Sequence, residues 1–278
     1  MNFVALMAAF LASANLFAAS IYFTVEMNQM GGGRVYLPCV YSDRFTAQCL
    51  FDSGSDNTSV GFNSFTQNLP SVGKTHFAGA AGKAKECDVV QIDSLAIGEF
   101  QKNAVLASRC ADSVPADVVG INVLEGESFV FDFSERRIQT EVQIPSQIRA
   151  QELKVLPAGH LVVPIRVAGQ MMGAVWDTGA SLSAVDQEFV KEFPHAFTFV
   201  GEVSGGDVTG IPLRMKMYKT AAIEAAGIRL PESYVLALDF SAFRGTYFGD
   251  EVKMILGLNH MQSQKWYFDL PAQLWAIE

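Results

Sequence analysis

Residues 47–60 read AQCLFDSGSDNTSV, and residues 172–185 read MGAVWDTGASLSAV. Each is an apolar run that ends on an Asp-[Ser/Thr]-Gly turn: Asp52-Ser53-Gly54 in the first, Asp177-Thr178-Gly179 in the second. They are the best-matched landmarks of an internal repeat. VVGINVL (118–124) and FVFDFSERRI (129–138) follow the first turn; MILGLNHM (254–261) and WYFDLPAQLW (266–275) follow the second. Gly120 precedes Asp132 by 12 positions, and Gly257 precedes Asp269 by the same 12. Val105-Leu106-Ala107 recurs as Val235-Leu236-Ala237. The landmarks keep their order, so the chain reads as a duplication with halves 20–144 and 160–278. Residues 145–159, polar, carrying Pro145 and Pro157 and lacking strand alternation, form the expected linker.

A length of 278 residues suits two domains of roughly 120–140 residues each. Half the chain is hydrophobic and 18% is charged, which permits a large core and excludes wholesale disorder. A net charge of −9 without any basic run argues against a nucleic-acid partner. Four His and four Cys, without CxxC or HExxH spacing, give no metal site. Gly31-Gly32-Gly33 lacks the Lys-Ser/Thr of a phosphate loop and reads as a flexible lead-in. No cofactor is expected.

The first charged side chain is Glu26, and the apolar stretch before it ends in Ala18-Ala19-Ser20. Residues 1–19 therefore read as a secretory leader, which implies export to the periplasm or medium. The alternative is an uncleaved anchor, since residues 1–25 are long enough to span a bilayer. A membrane is a partner only in that case.

Strands dominate the rest. Residues 35–41 and 45–51 flank a polar turn at Ser42-Asp43-Arg44. Residues 89–97 and 100–107 flank Gly98-Glu99, suited to a two-residue hairpin turn, and residues 160–167 and 171–176 flank Gly169-Gln170. Residues 185–193 are the best candidate for a short helix. A turn at Gly98-Glu99 pairs residues whose numbers sum to 197, as Cys87 and Cys110 do. Cys39 and Cys49 sum to 88, which fits a loop or bulge centred on Arg44. Two disulfides are expected on that basis; four buried thiols in a reducing compartment are the alternative.

Composition predicts only about 0.13 chance copies of Asp-[Ser/Thr]-Gly in this chain. Two copies in a repeat, each after an apolar strand, carry the resemblance. The sequence resembles an aspartic protease of the pepsin and retropepsin group over essentially everything after the leader. That resemblance implies an all-β fold of two similar β-barrel-like lobes with a cleft between them. It makes Asp52 and Asp177 the catalytic pair, with Ser53 and Thr178 bracing the loops and Gly54 and Gly179 permitting the tight turns. Gly120 and Gly257 fall in the apolar-apolar-Gly segments that lie behind those turns in the family.

The Gly-rich segments at residues 76–82 and 204–210 sit at matching distances from the two aspartates. Phe77, Gly79, Gly205 and Gly206 are flap candidates, one hairpin per lobe, so the chain looks like a retropepsin dimer fused into one polypeptide and should act as a monomer. The resemblance also implies that a Ser or Thr after the Gly donates to the outer oxygen of its Asp, so Ser55 can donate to Asp52, whereas Ala180 offers Asp177 nothing. The expected consequence is that the shared proton resides on Asp177. Asp56 reads as structural, Asp132 and Asp269 as turn carboxylates, and the four His as ordinary surface or core residues.

Opposed carboxylates suit amide hydrolysis. One, ionised, draws a proton from water while the other, protonated, polarises the scissile carbonyl. At about 4 Å and an effective dielectric near 20, a second negative charge costs about 4 kcal/mol, roughly three pKa units, so the pair holds one proton. The implied function is an exported aspartic endopeptidase acting on protein or peptide substrates. A non-catalytic peptide-binding protein of the same fold in the cell envelope is the alternative.

Overall fold

Alternation sets the strands. Along Gly33–Tyr41, Val35, Leu37, Cys39 and Tyr41 turn into the core while Arg34 and Pro38 face out. The computed structural model describes residues 18–78, 84–110, 117–206, 211–245 and 247–278. Most of the leader reading, residues 1–17, lies outside them. Among the described residues no helix is long and apolar enough to cross a membrane.

The fold is all-β and two-lobed. An eight-stranded sheet belongs to the first half and a ten-stranded sheet to the second. A six-stranded sheet is shared. In it the repeat meets itself: Ser128–Asp132 pairs antiparallel with Lys265–Asp269, with Phe129 opposite Phe268 and Phe131 opposite Trp266. Both strands are apolar on each face because both faces are covered. Phe51, Phe131, Trp176 and Phe268 pack together, with Trp176 4.8 Å from Phe268 and 5.4 Å from Phe131 between ring centroids. This aromatic cluster joins residues that directly precede the two aspartates to the shared sheet.

The expected hairpin at Gly98-Glu99 forms in the expected register, Ile97 opposite Phe100 and Asp88 opposite Arg109. Gly98, at φ +59°, supplies the left-handed turn position. The first hairpin turns at Ser42-Asp43-Arg44 as expected, with Tyr41 opposite Phe45, but its register centres on Asp43 rather than Arg44, so Cys39 faces Ala47 rather than Cys49. Ser42 and Asp43 adopt φ of +47° and +55°, a turn made without glycine. In the second lobe Val167 pairs with Gln170, placing the turn at Ala168-Gly169, one residue earlier than expected. Disulfides nevertheless join Cys39 to Cys49 and Cys87 to Cys110; no free cysteine remains.

Residues 145–159 are not strand-free. Gln151–Glu152 adds to the edge of the shared sheet against Leu274–Ile277, and Lys154–Val155 pairs with Leu161–Val167. The helix after the second turn is Gln187–Glu192, shorter than residues 185–193 because Asp186 caps it by accepting the Glu188 N–H.

Candidate active site

Two strands deliver the aspartates. Phe45–Asp52 runs parallel to Asp117–Gly120 with Asp52 opposite Gly120. Gln170–Trp176 runs parallel to Val252–Leu256, and the Asp177 N–H donates to the Leu256 carbonyl at 3.0 Å. Glycine is required behind each turn. A Cβ on Gly120 would lie 2.6 Å from the Asn57 carbonyl oxygen, and one on Gly257 2.6 Å from that of Ala180. The residues that follow these glycines pin the turns: Ile121 N–H donates to Ser55 O at 3.0 Å, and Leu258 N–H to Ala180 O at 2.8 Å.

A repeat-matched pair that sequence reading missed adds to this. Thr58 Oγ1 donates to Asn122 Oδ1 at 3.1 Å, and Asn259 Oδ1 accepts from the Ser183 N–H at 2.8 Å. The signal was present: both Asn stand two places after the matched glycines.

The turns interlock across the lobe boundary. Ser53 Oγ donates to the Trp176 carbonyl and Thr178 Oγ1 to the Phe51 carbonyl, each at 2.8 Å. Each hydroxyl also accepts the other turn's amide, at 3.1 Å for Ser53 N–H and 2.9 Å for Thr178 N–H. Ser53 and Thr178 are fully buried. This grip brings half-buried Asp52 and Asp177 into hydrogen-bond contact. Gly54 lies against the carboxyl of Asp177 and Gly179 against that of Asp52, so a side chain at either glycine would collide with the opposing acid.

Burial, then the charge of Asp177, pushes the Asp52 carboxyl well above the usual carboxylate range. Burial also raises Asp177, opposed by its hydrogen bond with Asp52 and by the Ala180 and Gly179 amides. The expectation about Ser55 is overturned. Its hydroxyl donates to the Asn57 carbonyl at 2.8 Å rather than to Asp52. Ala180, expected to contribute nothing, donates its main-chain N–H to Asp177 Oδ1 at 3.1 Å, beside Gly179 N–H at 2.8 Å. Asp52 Oδ1 takes the Gly54 N–H at 3.0 Å. The Ser55 amide also favours the ionised form of Asp52, so the main-chain donors of the two turns are matched and neither the Ser55 hydroxyl nor Ala180 sets the place of the proton.

The aspartates sit in a cleft of about 510 Å³ whose apolar lining includes Tyr36, Leu50, Val175, Leu236, Phe248 and Ile255. Two hairpins flank it. Ser71–Ala78 pairs with Ala84–Ile97, Phe77 opposite Lys85, and contributes His76 to the lining. Phe197–Gly206 pairs with Pro212–Thr220 and contributes Gly205 and Gly206. Gly79 lies outside the described residues.

Other readings resolve individually. Asp132 accepts from Ser134 and Glu135 amides, and Asp269 from the Ala272 amide, as turn carboxylates. Gly32 is buried against the Ser181 carbonyl, and Gln262 donates to Gly31 O at 2.8 Å, so this glycine run is a fixed brace rather than a flexible lead-in. Of the His residues, His260 is buried beside Ser183 Oγ at 2.7 Å, and burial pushes its pKa down to about 4. His160 is a core residue, as expected, and its Nε2 also contacts the first aspartate turn at the Gly54 carbonyl.

No protein-family profile matches the sequence, and no curated protein matches it significantly. The structure is similar to the crystal structure of an aspartic proteinase from Irpex lacteus, with a TM-score of 0.58 and 13% identity over 94% of this chain and 97% of that one. The chain has the aspartic proteinase fold.

Proposed function

We propose that the chain is an exported, monomeric aspartic endopeptidase that cuts extended peptides across the cleft, with Asp52 and Asp177 sharing one proton. The observation that carries this reading is the reciprocal Ser53–Thr178 grip, which holds two carboxyl groups in contact at the floor of an apolar cleft. Forcing two acids together in a half-buried site is unfavourable, and a protein that only binds peptides has no use for it. The ionised carboxylate takes a proton from a water lying between the pair, and the resulting hydroxide equivalent attacks the scissile carbonyl. The protonated carboxyl donates to that carbonyl oxygen, and the proton gained from water passes to the departing amine. The hairpins carrying His76 and Gly205–Gly206 act as flaps over the substrate. Two disulfides support an oxidising location.

The test is a fluorogenic peptide library incubated with the purified protein from acid to neutral pH, with and without pepstatin. Pepstatin-sensitive cleavage is the expected result. Absence of cleavage across the whole range would sink the reading in favour of a peptide-binding role.

A further inference from the structure

We propose that His160 is a positioning residue: an imidazole from the second lobe that crosses the lobe boundary and fixes the first aspartate turn by donating from Nε2 to the Gly54 carbonyl. The two atoms are 2.9 Å apart. A carbonyl only accepts, so Nε2 must carry the hydrogen. The ring is 5% exposed, and its Nδ1 is buried with no partner among the described residues. Its one polar bond is therefore the one to Gly54. Tyr247 and Phe248 hold the ring edge-on, with centroids at 6.3 and 5.9 Å. Gly159, at φ +86°, makes the tight reversal that aims it, closed by Gly159 N–H to Leu156 O at 2.8 Å and Leu156 N–H to His160 O at 3.0 Å.

The position has leverage. The Gly54 N–H is bound to Asp52 Oδ1, its Cα lies against the Asp177 carboxyl, and its carbonyl is bound by His160. Both acids and the second lobe thus converge on a single residue without a side chain of its own. The imidazole removes the remaining freedom of its peptide plane.

Pseudo-symmetry shows that this bond has no twin. Tyr36 faces Leu50 and Val162 faces Val175, and Leu50 and Val175 each stand two places before an aspartate. Counting back two more from Tyr36 and Val162, the equivalent of His160 is Arg34. Arg34 is exposed and bonds to nothing among the described residues of the second turn. That turn is braced instead by Asn28 Nδ2, which donates to Ser181 Oγ at 2.6 Å, and by buried Gly32. Each lobe's lead-in steadies the other lobe's turn, by different atoms.

The test compares His160→Phe, which keeps the ring between Tyr247 and Phe248 but loses the donor, with His160→Gln, which keeps a donor. His160→Met replaces the Phe variant if that one does not fold. Amide hydrogen exchange is read at Gly54 and Ser55 in one turn and at Thr178 and Gly179 in the other. The donorless variant should speed exchange at Gly54 and Ser55 by about tenfold or more while the second turn stays within about twofold. The Gln variant should lie near wild type. In the kinetic arm, which rests on the endopeptidase reading, the donorless variant should lower kcat by about tenfold with KM within about threefold, and Gln should restore it. Wild-type exchange in the donorless variant, or equal disturbance by the donorless and Gln variants, overturns the proposal. The exchange arm needs no turnover, so an inactive wild type would defeat the endopeptidase reading and leave this result standing.

Discussion

The hydroxyl of Ser53 donates to the carbonyl of Trp176 across the lobe boundary, and Thr178 returns the bond to Phe51, both at 2.8 Å. Each hydroxyl also accepts the opposite turn's amide, so removing one strands a buried carbonyl and a buried N–H together. Ser53→Ala and Thr178→Ala should each cost about 1–3 kcal/mol. Because the four bonds form one unit, the double variant should lose less than the sum. Denaturant midpoints of the three proteins measure this, and strict additivity would show that the hydroxyls work independently. Thr178→Ser, which keeps the hydroxyl, should stay close to wild type.

The glycines face a different constraint. A methyl group at Gly54 or Gly179 must push the opposing carboxyl aside. Displacing a reacting group by about 1 Å can cost 10²-fold, and Gly54→Ala and Gly179→Ala should lose peptidase activity on that scale while remaining folded. Gly201 is the control, since a Cβ there meets nothing within 4 Å and its φ is not in the left-handed region. Gly201→Ala should cleave normally. Equal activity in all three variants would place the carboxyl groups elsewhere in the folded protein.

Both turns lie on one chain, and the grip closes within it. Specific activity should therefore be independent of enzyme concentration, and sedimentation should find one copy. A steep fall on dilution would mean that a second copy completes the site.

The grip, which joins residues some 125 positions apart, was legible only through the family resemblance that the two repeated motifs carry. The Gly98-Glu99 register was legible because a two-residue turn leaves no slack. The turn at Ser42-Asp43-Arg44 was legible, whereas the register taken from Cys39 and Cys49 was one residue off because those two cysteines join without standing opposite each other in the ladder. Gln151–Glu152 became a strand only through Trp275 and Leu274 far along the chain, whereas Lys154–Val155 pairs with nearby Leu161 and Val162, and a two-residue strand has no periodicity to read. His160 was invisible for a related reason. It contacts a residue 106 positions away, and its repeat counterpart is an arginine, so neither spacing nor duplication pointed to it. The Ser55 expectation failed because the single hydroxyl hydrogen goes to the main-chain carbonyl of Asn57, two residues on, a local bond that the motif alone does not announce.

The acid pair should be visible in the pH dependence of both activity and stability. Asp52→Asn and Asp177→Asn should each lower cleavage by roughly 10²–10⁴-fold, since a single carboxyl cannot serve as both acid and base. They should also stabilise the fold near neutral pH. Both carboxyls are raised above the ordinary carboxylate range, by burial first. A carboxyl raised in the folded state holds its proton there while the unfolded chain has released it, so the folded state binds more protons. Stability then falls as pH climbs from the ordinary carboxylate range toward the folded pKa, and levels off above it. Carboxylates held low act oppositely. Asp88, which Arg109 and Lys74 hold at about 2, contributes stability that is lost only in acid. Those contributions are common to wild type and variant and cancel in the difference. The gain of either Asn variant over wild type should accordingly be near zero at pH 3 and grow toward neutral pH. Thermal unfolding of all three proteins between pH 3 and 7.5 measures it. A pH-independent difference would show that the two aspartates titrate normally in the folded protein and do not share a proton.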